Sequence, residues 1–243
     1  VQSPSNPMSA RASIGGVWHD ARRRLPRVRA RVRYGRRFHP APADTPTGGS
    51  PLFRALLLAP PGAGKGTQGE RLAERHGVPH LATGDLLREH VARGTELGRA
   101  AKEHMDQGDL VPDALVISMI TEALGGRNPI ENFLLDGFPR TLTQAEAAYE
   151  WGRNKNRVFD AVIMLDVPED ELVRRLVERG REKGRSDDTE DVIRNRLKVY
   201  EENTAPLIEF YEGRGILLRI DGTGSVDEVT ERIEAGLSPL TDD

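Results

Sequence analysis

The run Ala59-Pro60-Pro61-Gly62-Ala63-Gly64-Lys65-Gly66-Thr67 has the residue types of a phosphate-binding loop. Glycines let backbone N–H groups turn inward and approach phosphate oxygens closely. A helix starting directly after the loop would add about half a positive charge at its N-terminus. Lys65 would add a full charge, aimed at β- and γ-phosphates. The candidate phosphate ligands are Gly62, Ala63, Gly64, Lys65, Gly66 and Thr67.

The loop departs at two positions from the pattern G-x-x-x-x-G-K-[ST]. Ala59 replaces the first glycine, and Gly66 stands where a Ser or Thr hydroxyl usually binds Mg²⁺. The metal must then be held by another residue. Asp136 follows an apolar run at 132–135, and a carboxylate at the end of a buried strand beside a phosphate loop is placed to hold Mg²⁺, often through water. We therefore predict Asp136 as the metal ligand.

Four arginines form a second group of candidate residues. Arg175 and Arg179 lie one turn apart on one helix face, and Arg185 and Arg196 follow on or beside the next helical pattern. Two nucleotides together carry about six negative charges, which must be neutralised as they approach each other. Preorganised cationic donors also stabilise the charge on a transferring phosphoryl group. We favour this role over solvation of a surface at these four positions, and interpret Arg181 and Arg194 as surface residues.

Several motifs over residues 52–237 resemble the adenylate kinases, which are nucleoside-monophosphate kinases. The resemblance is carried by Gly64-Lys65-Gly66-Thr67 with Pro61, by Thr83-Gly84-Asp85-Leu86-Leu87-Arg88, by Asp136-Gly137-Phe138-Pro139-Arg140 with Gln144, and by the short lid at 179–188. It implies a Mg²⁺-dependent, reversible transfer from ATP, the co-substrate, to AMP, giving two ADP. The long-lid form of the family sometimes holds zinc through Cys. This chain contains no Cys, and no zinc is expected.

The resemblance implies roles for individual residues. Thr83 would contact the adenine side of AMP, Arg88 and Arg140 its phosphate, and Gln144 its adenine edge. Gly224, in Asp221-Gly222-Thr223-Gly224, would contact the adenine of ATP through its backbone. The implied AMP site is Thr83, Arg88, Asp109, Leu110, Val111, Gly137, Phe138, Pro139, Arg140, Gln144, Arg185 and Arg196. The implied ATP site adds Arg175, Arg179 and Gly224 to the phosphate loop. Catalysis is assigned to Lys65, Asp136, Arg140, Arg179, Arg185 and Arg196.

Three alternative readings stay open. A uridylate–cytidylate kinase would share the fold, but such enzymes usually have a small residue where this chain has Thr83; Thr83 could also serve as a helix N-cap. A guanine-nucleotide switch is disfavoured because Asn154-Lys155-Asn156-Arg157 lacks the Asp of an Asn-Lys-x-Asp motif. A nucleic-acid-binding protein led by a basic tail gains no support from the acidic remainder of the chain.

The candidate residues are separated by short apolar runs and longer helical patterns. The runs predict strands at 52–59, 132–135, 161–167 and 216–220. The helical patterns cover 65–76, 83–92, 98–107, 113–124, 143–155, 169–179, 189–211 and 226–237. Their alternation predicts an α/β fold, a P-loop three-layer α/β/α sandwich around a central parallel sheet. The resemblance adds a small helical AMP-binding insertion at about 82–111.

The net charge of −3 is divided unevenly along the chain. Residues 1–51 hold ten Arg, no Lys and two acids, whereas residues 52–243 hold 25 basic and 36 acidic residues. The first segment is therefore predicted to be a disordered extension of a kinase domain at 52–243. Its composition suits a transit peptide, a nucleic-acid-binding tail or a non-functional extension. We expect a cytoplasmic monomer, organellar if the transit peptide is genuine, binding ATP, AMP and ADP but neither membrane nor nucleic acid.

Overall fold

The computed structural model describes residues 53–126, 129–183 and 190–241. The expectations for residues 1–51 and for Arg185 lie outside these residues. In the described part, the strands are β1 (Arg54–Leu58), β2 (His80–Ala82), β3 (Phe133–Asp136), β4 (Ala161–Asp166) and β5 (Leu217–Asp221). The helices are α1 (Lys65–His76), α2 (Thr83–Ala92), α3 (Glu96–Gln107), α4 (Asp113–Gly125), α5 (Leu142–Lys155), α6 (Glu169–Lys183), α7 (Glu190–Val199), α8 (Leu207–Glu212) and α9 (Val226–Thr241).

The five strands form one parallel sheet in the order β2-β3-β1-β4-β5, so the α/β prediction is confirmed. In register, Leu57 of β1 lies beside Asp136 of β3 on one side and Ile163 of β4 on the other. Parallel strands bring all their carboxyl ends to one edge of the sheet. The segment after β1, the start of α2 and Asp136 therefore meet at that edge, where ligands of such sheets bind.

Both faces of the sheet are covered by helices, and β1 shows how the sequence supplies both cores. Successive side chains of a strand point to opposite faces. Ala55 and Leu57 belong to one buried cluster, with side chains from α1, α6, α7 and α9. Leu56 and Leu58 belong to the other, with side chains from α2, α4, α5 and α8. A continuous apolar run is what such a doubly covered strand requires.

Two helices stand between β2 and α4 as a tightly packed hairpin, α2 and α3. Their crossing is closest at Gly98, where a Cβ atom would lie 2.1 Å from the carbonyl oxygen of His90. Thr95 caps α3 by accepting a hydrogen bond of 3.0 Å from the backbone N–H of Gly98. Only glycine fits this crossing. This hairpin lies within the range 82–111, where the resemblance implies an insertion.

One prediction of local structure was wrong, and one strand was not predicted. The helical pattern at 189–211 is interrupted, because a π-helical segment covers Tyr200–Thr204 and α8 begins only after Pro206. Proline lacks the N–H that a continuous helix would need, which explains the break before α8. The strand β2 was missed because three residues, one of them His80, make no recognisable apolar run. None of the described helices is long and apolar enough to cross a membrane.

Candidate active site

A cleft of about 500 Å³ opens at the carboxyl edge of the sheet, between the phosphate loop, the α2–α3 hairpin and α7. Six cationic side chains line it: Lys65, Arg88, Arg140, Arg175, Arg179 and Arg196. Four carboxylates share the walls: Glu70, Asp85, Asp109 and Asp136. The excess of cations suits a polyanionic ligand such as a nucleotide phosphate chain.

The phosphate loop joins β1 to α1 as the sequence predicts. Gly62 and Gly64 have φ values of +86° and +95°, which non-glycine residues rarely adopt. A Cβ atom at Gly62 would also lie 2.8 Å from the carbonyl oxygen of Leu172. Ala59, in place of the first glycine, is buried in the core. Among the described residues only Asn156 is a non-glycine residue with positive φ, so Ala59 needs no special backbone freedom.

Lys65 is the first residue of α1, and its ammonium group is turned back onto the loop. Its Nζ donates hydrogen bonds of 2.7 Å to the carbonyl oxygen of Ala59 and 3.1 Å to that of Pro60. Loss of hydration within the cleft lowers the pKa of Lys65 to about 8, and the nearby Arg140 and Arg179 act in the same direction. Asp136 opposes this shift. The lysine is therefore a cation that an incoming phosphate would stabilise.

Asp136 ends β3 beside the phosphate loop, mostly buried, with 13% of its side chain exposed. His80 on β2 is its neighbour: its Nε2 lies 3.9 Å from Asp136 Oδ2 and makes no hydrogen bond to any residue that the structure describes. No group of three or more His, Cys, Asp or Glu side chains that could hold a metal occurs in the described ranges. A single carboxylate still suits Mg²⁺, which usually keeps water and binds one or two carboxylates together with substrate phosphates.

Arg140 lines the cleft on a tightly bonded turn. Its Nε donates a 2.8 Å hydrogen bond to the carbonyl oxygen of Gly137, and its own carbonyl accepts a 2.9 Å hydrogen bond from Thr204. Loss of hydration lowers the pKa of Arg140, with contributions from Arg196 and Arg88 and opposition from Asp136. The guanidinium nevertheless keeps its charge at physiological pH. Because Arg196 and Arg88 affect the pKa of Arg140, the three guanidinium groups lie near one another in the cleft.

Gln144 holds this turn against α4. Its Oε1 accepts a 2.8 Å hydrogen bond from the backbone N–H of Arg140, and its Nε2 donates one of 2.7 Å to Asp113. Thr141 donates 2.9 Å to the other carboxylate oxygen of Asp113. A carboxamide has two donor hydrogens and two acceptor lone pairs, so one of each is left for a ligand. Gln144 is 2% exposed, which fixes its orientation at the cleft wall.

Thr83 and Arg88 lie on α2, on the side of the cleft facing the phosphate loop. Thr83 is the first residue of α2, and the N-cap position belongs to Ala82, so the alternative role of Thr83 as N-cap is wrong. The hydroxyl of Thr83 is buried without a hydrogen-bond partner among the described residues. A buried, unsatisfied hydroxyl on a cleft wall is available to a ligand. Arg88 is paired with Asp85, one turn earlier.

Arg175 on α6 connects the phosphate loop to the segment after β5. Its Nε donates a 2.7 Å hydrogen bond to Glu171, and its Nη2 donates one of 3.2 Å to the carbonyl oxygen of Gly222. Hydrogen bonds from Arg174 and Arg175 lower the pKa of Glu171 to about 2, which keeps this partner ionised. Arg175 is thereby held between Gly64 and the Asp221–Gly224 segment.

Most of the predicted site residues meet in this cleft. The lining includes Gly62, Gly64, Lys65, Gly66, Thr67, Thr83, Arg88, Asp109, Leu110, Val111, Asp136, Gly137, Pro139, Arg140, Gln144, Arg175, Arg179 and Arg196. The side chains of Ala63 and Phe138 are instead buried in the core. Gly224 lies outside the lining, near Glu228.

Some lining residues were missed by sequence reasoning. They are Glu70, His80, Met105, Val116, Tyr200 and Thr204, among others. His80 was missed together with its strand. Tyr200 and Thr204 fall within the helical pattern predicted at 189–211, which did not reveal the π-helical segment that contains both. Glu70 follows the phosphate loop by one turn of α1, a spacing that could have drawn attention to it.

The chain forms a parallel sheet between two layers of helices, with a phosphate loop after the central strand and a second cation-lined wall facing that loop. This combination defines a P-loop nucleoside-monophosphate kinase. A family model described as adenylate kinase matches residues 57–216. The chain is 50% identical over 186 residues to an adenylate kinase of Kocuria rhizophila, a match spanning 76% of this chain and 99% of the relative. It is 50% identical over 182 residues to one of Thermus thermophilus, spanning 75% and 95% of the two chains. An adenylate kinase of Xylella fastidiosa is 49% identical over 185 residues, spanning 76% and 99%. The chain belongs to the adenylate kinase family.

Proposed function

We propose that this protein is an ATP:AMP phosphotransferase that converts ATP and AMP reversibly into two molecules of ADP and so balances adenine nucleotides. The observation that carries the proposal is a single cleft in which the Lys65 phosphate loop faces the unpartnered hydroxyl of Thr83. One wall supplies donors for a phosphate chain. The other supplies the Thr83 hydroxyl and the guanidinium group of Arg88 for a second nucleotide.

The donor ATP binds at the phosphate loop. Backbone N–H groups of the loop and the N-terminus of α1 hold the β- and γ-phosphates, with Lys65 as the charged partner. Arg175 and Arg179 on α6 neutralise the outer oxygens. The adenine of ATP lies toward Gly224, beyond Arg175, whose hydrogen bond to Gly222 links the two parts of the donor site.

The acceptor AMP binds on the opposite wall. The adenine meets Thr83 and the remaining donor and acceptor of Gln144, and the backbone of residues 109–111 lines the base and ribose. Arg88 and Arg140 hold the α-phosphate, with planar guanidinium groups matched to phosphate oxygens. This orientation leaves one oxygen of AMP directed at the γ-phosphorus of ATP.

Transfer is direct and in line. An α-phosphate oxygen of AMP forms a bond to the γ-phosphorus while the bond from that phosphorus to the β–γ bridging oxygen breaks, so ADP leaves and a second ADP forms. Lys65, Arg140, Arg179 and Arg196, with the predicted Arg185, stabilise the charge spread over the transferring oxygens. Asp136 would hold Mg²⁺ through water, and the ion would supply positive charge that offsets the charge of the phosphate oxygens. No side-chain nucleophile takes part.

The setting of the enzyme is part of the proposal. Residues 52–243 form the kinase domain, with the acceptor insertion at about 82–111 and a short lid at about 179–188 that closes to exclude water. Residues 1–51 form an extension. The protein works as a cytoplasmic monomer, or in an organelle if the extension is a transit peptide, and it needs no zinc.

An acceptor panel tests the proposal. Purified protein is given ATP and Mg²⁺ with AMP, UMP, CMP or GMP, and nucleoside diphosphates are separated by chromatography. We expect AMP to be the preferred acceptor by kcat/KM, with little turnover when Mg²⁺ is chelated. A preference for UMP or CMP would instead make the protein a uridylate–cytidylate kinase. Turnover of ATP without any acceptor would reduce it to a nucleotide hydrolase.

A further inference from the structure

Asn195 on α7 forms a bridge to the end of the α2–α3 hairpin. Its Nδ2 donates a 3.0 Å hydrogen bond to the carbonyl oxygen of Gln107 and one of 2.7 Å to the carboxylate of Asp109. These two partners lie on either side of Gly108, which ends α3. The two elements are far apart in sequence, because the bonded pairs are separated by 88 and 86 positions. One amide thus spans the junction between hairpin and α7.

The same junction is closely packed. Gly108 has a φ of +81° and is buried, and a Cβ atom there would lie 3.0 Å from Val192 and 3.1 Å from Arg196. Its N–H and that of Asp109 close the end of α3 onto Met105 and His104. The backbone therefore presses directly on α7 at the point that Asn195 bridges. A shift of the hairpin away from α7 would break both hydrogen bonds.

We propose that Asn195 is a positioning residue that holds the acceptor-binding segment 109–111 against the helix carrying Arg196. Its two hydrogen bonds, to Gln107 and Asp109, are called the clasp below. This inference rests on the proposed function for its effect on AMP. Segment 109–111 and Arg196 both line the cleft, one on the acceptor wall and one among the cations of the transfer site. The clasp fixes their spacing before AMP arrives. Preorganisation of this kind lowers the cost of ordering a site on binding.

The direction of the effect follows from this geometry. Loss of the clasp frees the turn at Gly108, so AMP must order the segment itself and binds more weakly. The proposed ATP site includes neither Asn195 nor its partners, so we expect ATP binding to stay the same. For two hydrogen bonds at a partly exposed site, the expected rise in the KM for AMP is about threefold to tenfold. A substitution that only destabilised the fold would instead raise the KM for both AMP and ATP.

The test is Asn195→Asp in the full-length chain. The substitution keeps the shape of the side chain but places a carboxylate against the carboxylate of Asp109 and the carbonyl of Gln107. The matched control is Asn203→Asp, because Asn203 donates only to the nearby carbonyl oxygen of Val199 and is exposed. The KM for AMP should rise in Asn195→Asp and stay unchanged in Asn203→Asp, while the KM for ATP is unchanged in both.

A second substitution distinguishes the loss of these hydrogen bonds from a general disturbance of the structure. Combining Asn195→Asp with Asp109→Asn reverses the donor and acceptor of the 2.7 Å pair. Because Asp109 belongs to the proposed AMP site, Asp109→Asn alone is the reference, and we expect Asn195→Asp to raise the KM for AMP less in that background than in the wild type. The inference is overturned if the KM for AMP changes less than twofold or falls in Asn195→Asp, if the KM for ATP rises equally, or if Asn195→Asp raises the KM for AMP as much in the Asp109→Asn background as in the wild type.

A second readout does not depend on catalysis. Amide hydrogen exchange of residues 108–111 is measured in the ligand-free protein. Without the clasp, these amides should exchange faster in Asn195→Asp than in the wild type or in Asn203→Asp. Unchanged exchange would overturn the clasp even in an active enzyme. If the amides exchange faster in Asn195→Asp but the wild type does not phosphorylate AMP, the clasp stands and the proposed function is refuted.

Discussion

The ammonium group of Lys65 lies 2.7 Å from the carbonyl oxygen of Ala59, the residue that replaces the usual first glycine of the phosphate loop. The lysine thus donates to the backbone of its own loop. A phosphate that binds would compete with this carbonyl oxygen for the ammonium group and raise the pKa of Lys65, which burial lowers. The relation between these two residues makes the protonation of Lys65 a measurable part of nucleotide binding.

We predict that ATP binding becomes weaker as the pH rises through about 8, where the pKa of Lys65 lies in the free protein. Below that pH the lysine is already charged, and above it ATP must bind together with a proton, since the phosphates favour the cation. Calorimetry at pH 9 in two buffers of different ionisation enthalpy would measure this uptake. Lys65→Met should abolish it, whereas Lys155→Met, at the exposed end of α5, should not. Equal proton uptake by wild type and Lys65→Met would show that another group is responsible.

Arg140→Ala is expected to lower kcat by a factor on the order of 100 to 1,000, the range found when a donor to transition-state charge is removed. The fold should persist, because the bonds that Gln144 and Thr204 make to residue 140 use its backbone. Steady-state kinetics together with thermal unfolding would check both points. Near-normal turnover in a folded variant would remove Arg140 from the transfer step.

Thr83→Val tests the unpartnered hydroxyl on the acceptor wall. The substitution keeps the shape but removes the polar group, so the KM for AMP should rise about tenfold or less while the KM for ATP is unchanged. Thermal stability should not fall, since no hydrogen bond within the protein is lost. Thr121→Val is the control, because the Thr121 hydroxyl bonds only to carbonyl oxygens of its own helix, Ile117 and Ser118. A loss of stability in Thr83→Val with unchanged kinetics would assign the hydroxyl a structural role.

Gly98→Ala should disrupt the α2–α3 hairpin, because the added methyl group would meet the backbone oxygen of His90 at 2.1 Å. Overpacking of this kind costs about 1 to 3 kcal/mol. We expect weaker AMP binding with ATP binding largely retained, measured by calorimetry with each nucleotide. Gly213→Ala is the matched control, since a Cβ atom there would meet its nearest neighbour at 3.4 Å. Equal effects of the two substitutions would mean that the crossing is not the cause.

The parts of the fold that follow from local sequence patterns could be predicted. The phosphate loop could be recognised because its glycines, Lys65 and the following helix obey the same local rules in any protein. The strands β1 and β4 could be predicted from their continuous apolar runs, which they have because both of their faces are buried. The alternation of such runs with helical patterns was enough to predict a parallel sheet.

Other features depend on contacts that are distant in the sequence. His80 and its short strand are defined by pairing with β3, which no local pattern reveals. The interruption at Tyr200–Thr204 was missed because an apolar helical face continued through it, although Pro206 signalled the break. Two hydrogen bonds, from Gln144 to Asp113 and from Asn195 to Asp109, join polar residues. Each of these residues could equally well stand on a solvated surface, so the sequence alone does not indicate the contact. Only the tertiary structure brings these pairs together.

The most direct test of the proposed activity follows the phosphorus atoms themselves. Phosphorus NMR of the purified protein with Mg²⁺ and equal amounts of ATP and AMP should show both consumed in equal proportion, with two ADP formed for each pair. Starting from ADP alone should yield ATP and AMP and reach the same final mixture. Formation of ADP with inorganic phosphate while AMP stays untouched would contradict the account.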